Sequence, residues 1–158
     1  MTLTRRHLIA VAGLGSFGLF LGALYFQYVV GLLPCTMCLW QRWPHRVAIV
    51  LSVIGVAIPN AIIALLGAVT ALVGAGLALL HTGVEREWWD GPQVCGASAA
   101  QDVGALTPEQ LFDTTSGPQL VLCNEVAWEF LGLSMASWNG LICLGLAVIW
   151  LMAARRPA

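Results

Sequence analysis

Pro34-Cys35-Thr36-Met37-Cys38-Leu39-Trp40-Gln41-Arg42 sets a Cys-x-x-Cys pair and an arginine at the mouth of an apolar segment. Two thiols separated by two residues can close into a small reversible disulfide or supply half of a metal site, and spacing alone does not choose between them. Arg42 follows Cys38 by four residues. On a helix the two share a face, with Cβ atoms roughly 5–6 Å apart. A guanidinium there favours the thiolate of Cys38, which is the reactive form.

The surrounding chain is that of a membrane protein. Of 158 residues, 59% are hydrophobic and 9% charged, and the mean hydropathy is +0.83; a soluble domain carries about 25% charged residues. The length suits one integral membrane domain over residues 1–158. There is no lysine, and all eight acids lie between Glu85 and Glu129, whereas Arg5, Arg6, Arg155 and Arg156 sit at the ends. A net charge of -1 says nothing useful about nucleic acid, and no nucleic-acid partner is expected.

Four crossings are predicted. The first apolar run, residues 8–30, is long enough for a ~30 Å hydrocarbon core. It follows Thr4-Arg5-Arg6-His7, read as a cytoplasmic positive anchor. A twin-arginine export signal is the rival, disfavoured because no small-x-small cleavage site follows. Gly18 and Gly22 suggest a face for close helix packing. Residues 47–80 carry no charge, but a single helix would span ~51 Å, far too long. Pro59-Asn60 is the natural turn, giving helices over 39–58 and 61–81, the latter with Gly67, Ala71 and Ala75 as a packing face. Arg42 and Arg46 then lie inside the second helix, facing the bundle interior or snorkelling outward, and Pro44 threatens a kink. The last crossing covers 134–152.

Between the third and fourth helices, residues 82–133 form the one long polar segment, with Cys95, Cys123 and turn signals at Asp90-Gly91-Pro92 and Ser116-Gly117-Pro118. Thr107-Pro108-Glu109-Gln110 reads as a helix start. Trp88, Trp89 and Trp128 suit either a membrane interface or ordinary packing. With four crossings, the arginine-bearing termini vote for the cytoplasm and the cysteines face outward, in a bacterium the disulfide-permissive periplasm.

Five cysteines divide into four outer ones, Cys35, Cys38, Cys95 and Cys123, and Cys143 buried in the last helix. The outer four allow three pairings. Proximity favours Cys35 with Cys38, leaving Cys95 with Cys123. A static pair of structural disulfides is one alternative, but a Cys-x-x-Cys ring constrains too few residues to stabilise much. A zinc or copper site is another, disfavoured by the oxidising compartment and the single Cys-x-x-Cys, so no metal is expected. The residues define a membrane thiol–disulfide machine without fixing the direction of electron flow.

The chain closely resembles the bacterial DsbB family. The match runs through Leu24-Tyr25-Phe26-Gln27, Pro34-Cys35 to Cys38 with Arg42, His81-Thr82, Cys95, and Cys123 through Trp128 and Met135 to Trp138. Vitamin K epoxide reductase-type proteins are similar in having two cysteine pairs on four helices, but there the Cys-x-x-Cys follows the loop pair. Gln41, where some relatives carry an acid, and Pro44 depart from the family's pattern.

The resemblance implies an all-α four-transmembrane-helix bundle in the inner membrane. It implies a monomeric quinone-dependent thiol oxidase that re-oxidises a DsbA-like periplasmic thioredoxin-fold protein, with ubiquinone or menaquinone as cofactor. It further implies that partner thiolate attacks the Cys95–Cys123 disulfide at Cys95. Cys123 then attacks Cys35, and Cys38 is released as a thiolate toward the quinone. Arg42 would steady that thiolate and the quinone oxygen. His81 would hydrogen-bond or protonate the other oxygen, or else cap the helix at the interface. A reductant carrier running the opposite way uses the same residues.

Overall fold

The computed structural model describes residues 4–92 and 122–157. Its helices are α1 (Arg5–Tyr28), α2 (Thr36–Ala57), α3 (Ala61–Glu85) and α4 (Met135–Arg155). Each packs against two others: α1 on α2 and α4, and α3 on α2 and, most extensively, α4. Cys95 and the helix start expected at Thr107 lie outside the described residues, as does most of the polar segment.

The bundle is apolar outside and small inside. Leu14, Val53, Ile62, Val69 and Val148 are exposed, while the interior is lined by Ala12, Ala64, Ala68, Ala71, Ala78 and Ala147. That inversion suits a lipid solvent, in which helices associate by close backbone approach rather than by hiding large apolar side chains. α1, α3 and α4 are each long and apolar enough to cross a membrane. α2 is of similar length, 22 residues, but carries Arg42, His45 and Arg46.

α2 and α3 meet at Pro59-Asn60 as expected, where the Asn60 side chain accepts from Ile62 N–H and caps α3. This turn shares an end of the bundle with both termini. Arg5 ties them together by donating to the carbonyl oxygens of Pro59, Ala153 and Arg156. Cys35, Cys38 and Cys123 gather at the other end. There, α2 begins at Thr36 rather than 39, with Cys35 as its N-cap, and α3 runs one turn past His81 to Glu85. Ahead of α4, Glu129–Phe130 (β1) pairs antiparallel with Leu133–Ser134 (β2). The Leu131-Gly132 turn has positive φ at both residues, the geometry of a tight two-residue hairpin.

The two small-residue faces expected from the sequence are corrected by the packing. Gly18 and Gly22 do not seat a neighbouring helix, because a Cβ at either would meet nothing within 4 Å. The close approach on α3 is instead made by Gly67, which lies under Trp150, and by Gly74, which faces Pro44 and Cys143. Pro44 does not break α2; the helix runs through it, and Gly74 provides the space its ring needs. Ala75 is only half-buried, so the packing face runs through Ala64, Gly67, Ala71, Gly74 and Ala78.

A Cβ on Gly67 would stand 2.4 Å from the Trp150 indole. Gly67→Ala is expected to destabilise the bundle by about 1–3 kcal/mol through overpacking, read as a lower thermal midpoint in detergent. Gly76→Ala, where nothing lies within 4 Å, should leave the midpoint in place.

Candidate functional site: a cysteine pair at the wall of an apolar cavity

The N-terminus of α2 presents the cysteine pair. Cys35 caps the helix by accepting from the Cys38 backbone N–H at 3.2 Å. The Cys35 and Cys38 sulfurs are free thiols 2.8 Å apart. His81, reaching across from α3, places Nε2 3.5 Å from Cys35 Sγ. Cys35 is buried and Cys38 half-buried. Cys123, which is disulfide-bonded, is 1% exposed and packs in one cluster with Cys35, Met37 and Val84, against which Cys38 also lies. Of the four cysteines read as reactive, three therefore meet at one spot, and Cys95 lies outside the described residues.

Hydrogen bonds converge on Cys35 rather than on Cys38. Its thiol pKa is lowered to about 4, chiefly by the hydrogen bond from the Cys38 side chain, with burial opposing and His81 adding to the shift. Arg42 has its hydrogen-bond partner on a neighbouring helix. It is buried, and its Nη1 donates to Gln27 Oε1 on α1 at 2.5 Å. Its Nε is buried with no acceptor among the described residues. A buried donor left unsatisfied costs roughly 1–3 kcal/mol, so this atom marks a place where an acceptor is wanted.

Cys38 and Arg42 line the same cavity, of about 430 Å³, together with Cys35, Gln41, His45, His81 and Glu85. The remainder of its wall is apolar and aromatic. Phe26 packs on Trp128 with ring centroids 5.4 Å apart, Trp128 stacks on Phe130, and Phe130 meets Trp138. Gly18 and Gly22 form part of the α1 side, which explains why nothing packs on them. Both the size and the lining are those of a small-molecule site. Trp128 thus faces the cavity. Trp89 instead covers Gly83 and donates to the Leu80 carbonyl. Arg46 is exposed and lies between the Phe20 and Trp43 rings, 5.2 Å from each centroid.

Glu85 and Asn139 went unread in the sequence, and Gln41 was noted only as a departure from the family's pattern. Glu85 accepts from the Ser134 hydroxyl and lies 3.9 Å from His81 Nε2; the i,i+4 spacing from His81 was the available signal. Gln41 contacts His81 Nδ1 at 2.6 Å, and Asn139 contacts Gln41 at 2.6 Å. His81 is accordingly 3% exposed and bonded at both ring nitrogens, not an interfacial cap. Cys35, Cys38 and His81 also offer ligand atoms within 4.8 Å of one another. When reduced, they form a three-donor set suited to a soft divalent ion.

The fold and site define an integral-membrane helical protein with a buried dithiol beside an apolar pocket. A family described as "Disulfide bond formation protein DsbB" matches residues 5–153, and the chain belongs to that family. It is 30% identical to Disulfide bond formation protein B of a Polaromonas species over 97% of this chain and 92% of that protein. The protein of the same name from Albidiferax ferrireducens is 31% identical over 96% and 91%, and that from Aromatoleum aromaticum is 33% identical over 92% and 87%. No solved structure matches the chain significantly.

The hydrogen bonds on Cys35 set an expectation for titration. In reduced protein carrying Cys95→Ser and Cys123→Ser, ultraviolet thiolate absorbance should persist well below the ordinary thiol range and fade only toward the low pKa of Cys35. His81→Leu should move that titration upward. Thiolate absorbance that appears only in the ordinary range would contradict the geometry.

Proposed function

We propose that this chain is a quinone-linked thiol oxidase. It takes two electrons from a reduced DsbA-like thioredoxin-fold protein and passes them through Cys95–Cys123, then Cys35–Cys38, to ubiquinone or menaquinone. One observation carries the reading: Cys35, Cys38 and disulfide-bonded Cys123 pack together at an apolar cavity that Arg42 also lines with an unpartnered Nε. A flat apolar ring with oxygen acceptors fits such a lining.

The cysteine steps are exchanges of one sulfur–sulfur bond for another. The partner's thiolate attacks Cys95, the Cys95–Cys123 bond breaks, and the electron pair stays on Cys123. Cys123 attacks Cys35, forming Cys35–Cys123, and the pair from the broken Cys35–Cys38 bond stays on Cys38. Cys38 is the less buried of the two and lines the cavity, so the reducing sulfur is delivered to the pocket side. A quinone, when bound, supplies the two-electron oxidant and departs as quinol. Arg42 serves as a fixed cation in a low-dielectric wall, where a positive group is worth far more than in water. His81 lines the same pocket, with Nδ1 against Gln41 and Nε2 against Cys35.

In this reading residues 1–158 are one multi-pass domain of the bacterial inner membrane, acting as a monomer, with α2 as the fourth crossing. Supporting that, α2 is ~33 Å long, and its polar side chains have partners: Arg42 on Gln27, His45 on Asn139, and Arg46 between two rings. The terminal arginines lie at the end opposite the cysteines. By the positive-inside rule the termini are cytoplasmic and the cysteines periplasmic.

Purified protein should reduce a short-chain quinone at the expense of a reduced dithiol protein, and Cys38→Ser should abolish turnover. Full activity in Cys38→Ser would exclude its role, and a stoichiometric metal on Cys35, Cys38 and His81 without quinone reduction would favour a metal-binding module. Gly22→Leu places a side chain in open cavity space. It should raise KM for the quinone roughly tenfold, equivalent to about 1.4 kcal/mol, without weakening the dithiol partner's reaction at Cys95.

A further inference from the structure

The site continues into the bundle as a chain of buried polar side chains that the cysteine and quinone steps do not use. His45 Nε2 contacts Asn139 Oδ1 at 2.9 Å. Asn139 Nδ2 donates to Gln41 Oε1 at 2.6 Å. Gln41 Nε2 contacts His81 Nδ1 at 2.6 Å. His81 Nε2 in turn faces Cys35 Sγ at 3.5 Å and Glu85 Oε1 at 3.9 Å. Gln41, His45 and His81 are all buried, 5–7% exposed for the first two and 3% for the last. Bulk water therefore does not serve as the default partner for any of them.

Such a chain has a direction. An amide offers an oxygen that only accepts and a nitrogen that only donates. With Asn139 Nδ2 donating to Gln41 Oε1, the Gln41 nitrogen must donate to His81 Nδ1, and Asn139 Oδ1 must accept from a protonated His45 Nε2. His81 Nδ1 is then an acceptor, so in the neutral ring the proton sits on Nε2, the atom that faces Cys35. The tautomer of an imidazole is set by the bond at its other nitrogen, and here that bond is traced across three helices to His45.

We infer that His45 and Asn139, acting through Gln41, are positioning residues that hold His81 in the Nε2–H tautomer aimed at Cys35 Sγ. The consequence for chemistry rests on the thiol-oxidase reading above. Once the partner's second thiolate has displaced Cys95 from their mixed disulfide, closing the partner's own disulfide and leaving the electron pair on Cys95, Cys95 thiolate attacks Cys123 of the Cys35–Cys123 bond; Cys95–Cys123 re-forms, the Cys35–Cys123 bond breaks and the electron pair stays on Cys35. The exchange is redox-neutral, and a leaving thiolate that receives a hydrogen bond leaves faster. In the opposite tautomer His81 would present a lone pair to that sulfur and oppose its departure.

The test reads the His81 ring directly. The chain has three histidines, His7, His45 and His81, so nitrogen NMR of histidine-labelled protein resolves His81 after assignment with His7→Gln. Wild-type protein should show a single His81 form with the proton on Nε2; a proton on Nδ1 overturns the inference whatever the variants do. His45→Gln keeps a donor toward Asn139 and should retain the Nε2–H signature. His45→Leu removes the donor, should give mixed His81 tautomers, and should slow release of Cys35 from the Cys35–Cys123 bond about tenfold, the scale of one hydrogen bond to a charged group. His45→Leu with an unchanged His81 signature, or His45→Gln losing it as fully as His45→Leu, also overturns it. Failure of the thiol-oxidase reading appears separately, as wild-type protein that reduces no quinone while the His81 signature stands.

Discussion

A polar side chain inside a lipid-embedded bundle can bond only to other side chains or to backbone, and this constraint governs the cysteine end of the protein. Cys35 meets it as the N-cap of α2, with its sulfur between the Cys38 amide, the Cys38 thiol and His81. Each of those partners is held in turn: His81 by Gln41, Gln41 by Asn139, and Asn139 by His45. The Cys35 sulfur is thus the end of a bonded series that joins α2, α3 and α4. In the inference drawn above, a change at His45 reaches Cys35 through this series.

The same end of the bundle departs from close packing to make room. On α3, glycine admits Trp150 and Pro44 and draws the helices together. On α1, Gly13 and Gly15 likewise admit Ser52 and Leu146, but Gly18 and Gly22 do the reverse: they leave space, and the cavity occupies it. A row of small residues in a membrane helix therefore carries two opposite meanings, contact or vacancy, and only the neighbouring helix decides. The aromatic side of the cavity comes from Phe26 and from the hairpin before α4, where Leu131-Gly132 folds Phe130 back toward Trp128 and Trp138. The hairpin links the Cys123 segment to the pocket, so the disulfide and the cavity share one wall.

Much of this was legible in the residues. Charge-free runs and Pro59-Asn60 located the helices, because a bilayer fixes how long an apolar run can be. The cysteine spacing and the family's motifs marked the chemistry. What could not be read was lateral placement. Arg42 is four residues from Cys38, yet its guanidinium turns to Gln27 on another helix, since a buried cation is drawn to whichever acceptor the fold supplies. Gly18 and Gly22 looked like a packing face because small-xxx-small spacing is blind to what stands opposite. Asn139 and His45, 94 residues apart in sequence, carry no local signal of their contact. Glu85 was within reach, since its spacing from His81 placed both on one face of α3.

In the proposed cycle, electrons move between the two cysteine pairs through Cys123 and Cys35. Its most direct measurement is disulfide mapping of the quinone-free protein, quenched with an alkylating agent after mixing with a dithiol partner that retains a single attacking thiol. A Cys35–Cys123 bridge, the partner linked to Cys95, and alkyl label on Cys38 are expected. An intact Cys35–Cys38 bond with the label on Cys123 instead would contradict it.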